Sequence, residues 1–501
     1  MTTAPATTSL PRPSIVPARP LGELAALLHV PAPADSVLVT GVGHVAAAAR
    51  PGDLYVARQG ARAHGADFAA EAVRAGAVAV LTDAAGASRA GVDVPILVVD
   101  DPAAVLGQVS SWVYDHPSNS LTLIGVTGTS GKTTTSYLLE AGMRAAGHRT
   151  GLIGTVETRI AGQTVKSART TPEAPELQGL FAVMRERGVT AAAMEVSSHA
   201  LALGRVDGTR FAAGIFTNLS QDHLDFHTDM DDYFAAKARL FDGRSAVEVI
   251  NVDDEWGRRL VAQGSVTVSA AGAPGAMWRA EHVANSAEGG TTFTAAGPDL
   301  RFAVSLDLTG AFNAGNALQA LAALHASGID PVVAAEGMRH VAVPGRLERV
   351  AAGQDFLAFV DYAHKPGAVA AILAVLRPVT KGALIIVLGC GGDRDAGKRP
   401  MMGEVAARGA DLVVITDDNP RTEDPAAIRA EMAAGVAVVP GARSIEVPGR
   451  RDAIAEAIRR ARAGDTVVIA GKGHEQGQQI GDRITPFDDR AVLRELIGGT
   501  A

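Results

Sequence analysis

The segment Gly128-Thr129-Ser130-Gly131-Lys132-Thr133-Thr134 combines the residue types that hold phosphate. Glycines let a backbone turn tightly at the start of a helix, and its N–H groups then converge on an anion. A lysine in that place reaches the terminal phosphates of a nucleotide, and a neighbouring hydroxyl can ligate Mg²⁺. The eight-residue form of the pattern asks for glycine six positions before the lysine, where this chain has Val126. The shorter G-T-x-G-K-T form remains. Its plainer reading is a glycine turn that opens a helix.

Further along, Met194-Glu195-Val196-Ser197-Ser198-His199 closes a strand-like run. A carboxylate there is placed to hold Mg²⁺ near the phosphates, with His199 as a second ligand or an orienting group; capping of the strand end is the alternative. The run TNLSQDHLDFH (217–227) gathers two histidines with Asp222 and Asp225, but not at zinc spacing. Lys237 follows on a helix-like stretch, where a lysine ordinarily faces solvent. Only seven of the 46 basic residues are lysines (132, 166, 237, 365, 381, 398 and 472). In a chain whose default cation is arginine, a lysine hints at a need for an amine.

These groups need a scaffold. Runs 121–126 (LTLIGV), 191–196 and 212–217 read as buried strands, and 133–146 as a helix; strands alternating with helices predict a parallel, doubly wound sheet. Ahead of it, 78–82 and 95–99 read as strands and 68–75 as helix, with a turn-rich linker at 116–120. Residues 264–308 read as a small antiparallel insert, with a helix at 313–326 after it. Val343-Pro-Gly-Arg346 marks a second boundary, and the alternation restarts at 356–361, 383–389, 412–417 and 466–471. The prediction is α/β in three domains: a flexible lead-in at 1–20, then 21–116, 117–344 and 345–501.

The chain has 501 residues, 47% of them hydrophobic, and a net charge of −8. That is enough to bury several cores, and there is no basic block of the kind nucleic acid requires. No apolar run reaches about 18 residues, so no membrane insertion is expected. The first 20 residues hold five prolines and lack the charged-then-apolar pattern of a signal peptide. A single cysteine, Cys390, excludes an internal disulfide and fits a reducing, cytoplasmic setting.

Taken together, GTSGKTT, EVSSH, NLSQDHLDFH, AAK at 235–237, GAFNAGN at 310–316, VPGRLE, DYAHKP, GCGGDRDAGKRP, DDNPRTEDP and GKGHE resemble the Mur ligase family of ATP-dependent amide-forming enzymes. The last three motifs resemble the branch that adds the third residue of the peptidoglycan stem peptide. The resemblance implies a central P-loop ATP-binding domain, a uridine-binding α/β domain before it and a Rossmann-like domain after it. It implies addition of meso-diaminopimelate to UDP-N-acetylmuramoyl-L-alanyl-D-glutamate through an acyl phosphate.

By the same resemblance, Lys132, Glu195, His199 and Lys237 are catalytic. Residues 128–134, Asn316, Arg346 and Asp361 bind ATP, and domain closure brings the last two to it. Thr133, Glu195, His199 and Lys237 hold Mg²⁺, Lys237 being carbamylated by CO₂ to N6-carboxylysine. Thr170, Thr171, Ser197 and Arg205 take the nucleotide-sugar substrate. Arg394, Asp418, Asn419, Pro420, Arg421, Gly471 and Glu475 form the diaminopimelate pocket.

Arg421 suits that amino acid, because it can pair with the distal carboxylate, which lysine lacks. The sequence D-N-P-R is also a good turn with an Asx cap. One departure is the family's Asp-Ser-Arg stretch in the first domain, which here reads VGHVAAAARPGD. A monomer is expected. The alternatives are a lysine-adding or other ligase of the superfamily, a non-catalytic ATP-gated binding protein, and a P-loop motor.

Overall fold

The computed structural model describes residues 10–165, 169–224, 226–285 and 290–499. The chain divides into two compact units. The first takes Met1–His282, Phe293–Val304 and Ala314–Arg339, and the second takes Val283–Thr292, Ser305–Asn313 and His340–Ala501. Residues 21–116 and most of 117–344 fall in the first unit, while 283–292, 305–313 and 340–344 fall in the second.

In the first unit a four-stranded parallel sheet (Gly41–Gly43, Asp53–Val56, Ala79–Thr82, Ile96–Val98) packs its apolar face with Leu21, Leu24, Val109 and Trp112. The predicted strands at 78–82 and 95–99 are present, and the helix at 68–75 is Ala69–Arg74 after a short 3₁₀ turn. The lead-in is not free along its whole length. Arg12 Nη1 donates to both carboxylate oxygens of buried Asp53 at 2.7 Å, and Ser14 is bonded to Glu186. Arg19–Pro20 pairs with Leu38–Val39. The segment from Arg12 to Pro20 is thus tied down. Prolines there remove donors and restrict φ, so it extends along the surface without becoming a helix.

The largest sheet among the described residues has eleven strands, and those from Thr122–Thr127 to Val266–Ser269 lie in this unit. Thr122–Thr127 sits near its centre, flanked in parallel by Ala191–Glu195 and Phe211–Phe216. These are continuous apolar runs, as a sheet covered on both faces requires. The register sets Glu195 beside Val126 and Phe216 beside Thr127, so three strands deliver their ends to one edge. The helix Lys132–Ala145 starts there with Gly131 as its N-cap, at φ +89°. The 264–308 stretch departs from expectation: Val266–Ser269 and the start of Trp278–Asn285 extend the sheet in parallel. Alternating Thr and Val fit either pairing, so sequence could not decide between them.

In the second unit the strand order is Glu348–Arg349, Leu357–Asp361, Thr466–Ala470, Leu384–Leu388, Leu412–Ile415, Ser444–Glu446. All pairings but the first are parallel. Two apolar layers bury its faces, one around Leu373, Ile386 and Met432, the other around Ile385, Ile454 and Leu493. The chain order reverses between Leu384–Leu388 and Thr466–Ala470. Ligands in open α/β sheets gather at the carboxyl ends beside such a reversal. Among the described residues no helix is long and apolar enough to cross a membrane.

Candidate active site

The glycine loop at 128–134, the candidate phosphate site, is shaped by contacts that exclude side chains. Gly128 has φ +143°, and a Cβ there would collide with Thr217 Oγ1. Ser130 N–H donates to Asn218 Oδ1 at 3.0 Å, and Ser130 O accepts from Thr217 Oγ1 at 2.7 Å. Thr129 Oγ1 lies 3.2 Å from the Tyr233 hydroxyl. Asn316 belongs to the same place, since a Cβ at Gly131 would meet its Oδ1 at 2.5 Å. Lys132 Nζ folds back on the loop, donating to Gly128 O at 2.7 Å and Thr129 O at 3.1 Å. Thr134 is buried in the first turn of the helix.

Glu195 is 1% exposed. Burying an ionised carboxylate is costly unless donors offset the lost water. Here Thr133 Oγ1 (3.0 Å), Thr155 N–H (2.8 Å) and Thr155 Oγ1 (3.0 Å) supply them. Hydroxyl and carboxylate oxygens are the donor set of a hard divalent cation, so Thr133 and Glu195 fit Mg²⁺.

Lys237 is not at the surface. It is 1% exposed, lies over the Tyr233 ring, and donates to Gly128 O at 2.8 Å. Two ammonium groups, Lys132 and Lys237, thus share one carbonyl acceptor. Converting one amine to an anionic carbamate would relieve that repulsion. His199 stacks on Phe226 at 4.1 Å and meets His223 edge-on at 4.8 Å. His227 nearby is buried with Nε2 unpartnered. Asp225 lies outside the described residues, as does Lys166. Among those described, no group of three or more His, Cys, Asp or Glu forms a ready metal cage.

The residues expected to take the nucleotide-sugar adjoin this centre. Thr170 Oγ1 is 3.0 Å from Thr155 Oγ1, and Thr171 Oγ1 donates to Glu195 O at 2.9 Å. Ser197 caps the helix Ser198–Ala202, and its N–H donates to Thr171 Oγ1. Arg205 donates to Thr171 O and pairs with Glu173 at 3.0 Å. Arg58 (3.7 Å) and Arg169 (3.9 Å) converge on the same carboxylate. His44 borders this cluster. Burial, and then Arg58, push its pKa down to about 4. The Asp-Ser-Arg departure therefore puts a neutral imidazole beside an arginine-rich pocket.

In the second unit, loops after four neighbouring strands meet. Asp361 is buried and accepts from Leu347 N–H and Ala363 N–H, both at 2.7 Å. Burial raises its pKa, against the pull of Arg346. The Arg346 guanidinium lies 4.5 Å from the Tyr362 ring centre. Arg421 adopts φ +54°, and its Nη1 donates to Gly392 O at 2.6 Å. A Cβ at Gly391 would meet Arg421 Nη1 at 2.9 Å and Arg394 Cγ at 3.9 Å, so both arginines flank that glycine. The Pro420 carbonyl packs against Gly392. Gly471 has φ +116°, and a Cβ there would lie 2.7 Å from Asp418 Oδ2. Asn419 Nδ2 donates to Glu475 Oε2 at 3.0 Å. The lone Cys390 is buried behind these loops, and burial pushes its thiol up to about 12.

Beneath the loops run ion pairs that sequence reasoning missed. Arg450, wholly buried, makes a two-pronged pair with Asp489 at 2.6 and 2.7 Å and donates to Ala470 O at 2.9 Å. Arg399 pairs twice with Glu423 at 2.9 Å. Thr155 and Glu173 were missed as well. Glu173 stands two residues after Thr171, which was a usable signal. Nothing local marks Arg450 or Thr155.

Three comparisons bear on this geometry. Residues 126–324 match the Mur ligase middle domain, 345–473 the Mur ligase glutamate ligase domain, and 38–114 the Mur ligase family catalytic domain. The chain is 56% identical over 500 residues, 98% of each protein, to UDP-N-acetylmuramoyl-L-alanyl-D-glutamate--2,6-diaminopimelate ligase of Streptomyces avermitilis. It is 52% identical to the protein of the same name from Corynebacterium efficiens, over 90% of this chain and 89% of that one. A solved structure of a ligase of that name superposes with a TM-score of 0.71 at 32% identity, covering 97% of this chain and 99% of its own. The MurF ligase of Thermotoga maritima, solved with ADP, shares the fold at TM-score 0.60 and 20% identity, over 92% and 96% of the two chains.

Proposed function

The chain belongs to the Mur ligase family, and from that premise we propose that it joins meso-2,6-diaminopimelate to UDP-N-acetylmuramoyl-L-alanyl-D-glutamate, converting ATP to ADP and phosphate. The supporting observation is the second unit's loop cluster, where Arg421 and Arg394 flank Gly391 while Asn419 is bonded to Glu475.

A carboxylate resists amines because its oxygen is a poor leaving group. Phosphorylation gives an acyl phosphate, the amine attacks it, and the tetrahedral adduct expels phosphate. The first step brings together two anions, which at about 4 Å repel by roughly 4 kcal/mol at an effective dielectric of 20. Catalysis is therefore positioning and charge neutralisation. Loop N–H groups of residues 128–134 and the Lys132 ammonium hold the ATP phosphates. Thr133 and Glu195 would hold Mg²⁺, with His199 and a carbamylated Lys237 at a second position, and a cation there would supply charge neutralisation for the transferring phosphoryl group. The burial of Lys237 against a carbonyl shared with Lys132 supports the carbamate.

Thr170, Thr171, Ser197 and Arg205 orient the nucleotide-sugar, and Asn316, Arg346 and Asp361 contact ATP. Arg421 and Arg394 take the distal carboxylate of diaminopimelate, and Glu475 takes its distal ammonium. Asp418, Asn419, Pro420 and Gly471 shape the pocket. Lysine would leave Arg421 facing an ammonium, and a site built for a hydrogen-bonding group rejects an analogue lacking it by about 10⁴. The reaction is a cytoplasmic one in this reading, and a monomer suffices for it.

The test is phosphate release from ATP with the nucleotide-sugar present, supplying meso-diaminopimelate or L-lysine separately, with Arg421→Ala alongside. Turnover that needs diaminopimelate and is lost in the variant is expected. Turnover with lysine instead would retain the ligase and overturn the arginine assignment.

A further inference from the structure

Lys472 is the one residue of the GKGHE motif whose side chain is entirely buried, at 0% exposure, although it is a long cation. Long charged side chains reach full burial only when paired. Its Nζ donates to Asn419 Oδ1 at 3.0 Å and to Glu475 Oε2 at 3.2 Å. Asn419 Nδ2 donates to that same Glu475 oxygen at 3.0 Å, which closes a triangle. The Gln479 N–H donates to Asn419 Oδ1 at 2.9 Å, which fixes which way the amide faces. Two donors of the protein thus converge on one oxygen of Glu475, Oε2.

We propose that Lys472 is a positioning residue for the amino-acid substrate. It holds the Glu475 carboxylate in one orientation, so that Oε1 is presented to the distal ammonium of the incoming amino acid while Arg421 takes the distal carboxylate. Two fixed, oppositely charged contacts on one carbon, together with the chain leading to it, define a handedness. The Lys472–Asn419–Glu475 triangle therefore also sets the preference for the configuration of that distal centre. Lysine chemistry suits the task. A compact ammonium can donate to two acceptors at the end of an apolar stem, whereas a planar guanidinium imposes a wider fork. This accounts for a lysine kept in a chain with 39 arginines.

The inference rests on the diaminopimelate reading above, and its test separates the two. With wild-type protein, Lys472→Met and Lys472→Arg, the KM for each of the three substrates and kcat are measured. The preference for meso- over LL-diaminopimelate is measured in parallel. Lys472→Met should raise the KM for meso-diaminopimelate about ten- to a hundredfold, the range for a lost hydrogen bond to a charged group. The KM values for ATP and the nucleotide-sugar should stay within about twofold, and the stereochemical preference should collapse. Lys472→Arg should recover part of the loss.

Because Lys472 acts through Glu475, Lys472→Met/Glu475→Gln should be little worse than Glu475→Gln alone. Additive losses, or equal losses for all three substrates, would overturn the proposal. If Lys472→Met does not fold, wild-type protein labelled with ¹⁵N-lysine decides. A buried ammonium signal must shift on adding meso-diaminopimelate, and no shift refutes the role. Wild-type protein with no turnover on diaminopimelate would instead remove the functional reading itself.

Discussion

The Glu195 centre of the first unit and the Glu475 cluster of the second, the candidate phosphate and amino-acid sites, both lie in loops at the carboxyl ends of parallel strands, yet they are held by different forces. Around Glu195 the partners are hydroxyls and a backbone amide. Around Glu475 and Asp418 they are buried cations, Lys472 and Arg450, backed by Asp489. The difference follows the ligands. On the reading proposed above, a triphosphate and its cation would bring large charges of their own, and the carboxylate that faces them is held by neutral donors. A small amino acid brings little, so the protein must arrange fixed charges in advance and settle them with counter-charges.

The comparison can be broken most sharply at its centre. Glu195→Ala should cut turnover by about 10³-fold or more while leaving diaminopimelate binding intact, as calorimetry on the same preparation would show. A loss of both would mean that the two clusters are not energetically distinct. Next in size, Arg450→Met strands Asp489 in the second unit and should cost about 3–5 kcal/mol in denaturant unfolding. Arg450→Met/Asp489→Leu should recover much of it. A single mutant as stable as wild type would end the idea that buried charge holds this pocket.

Thr155→Val removes one hydroxyl from Glu195 and keeps the amide. It should raise the Mg²⁺ concentration needed for half-maximal turnover about tenfold, without changing the KM for diaminopimelate. Smallest is a pH effect that the two units share. His44 in the first and His364 in the second both have pKa values pushed down to about 4, mainly by burial. Unfolded, each binds its proton near 6.5, so between pH 6.5 and 4 only the unfolded chain is protonated, and stability falls as pH falls. His44→Gln should remove about 1–2 kcal/mol of that loss, discounted for partial solvent access to the ring, and should leave the His364 contribution in place.

Much of this was legible from local pattern. Buried parallel strands announce themselves as apolar runs, and 121–126, 191–196 and 466–471 fall within a residue or two of Thr122–Thr127, Ala191–Glu195 and Thr466–Ala470. Glycine-bearing loops at their ends marked the candidate site. What could not be read depends on partners far apart in the chain. Arg12 finds Asp53 across 41 residues, Arg450 finds Asp489 across 39, and Lys472 finds Asn419 across 53. Each is an ordinary surface-type residue until the fold buries it. Lys237 shows the same limit, since a helix lysine looks solvated until Tyr233 and Gly128 close over it.

Cys390 carries a practical consequence. The chain's single thiol is buried, and burial raises its pKa, which disfavours the thiolate that attacks maleimides. The natural sequence is therefore already a silent background for fluorescence labelling. One cysteine introduced on an exposed helix of each unit would give a donor–acceptor pair without first deleting a native thiol. Energy transfer between the dyes could then be followed as ATP, the nucleotide-sugar and the amino acid are added in turn.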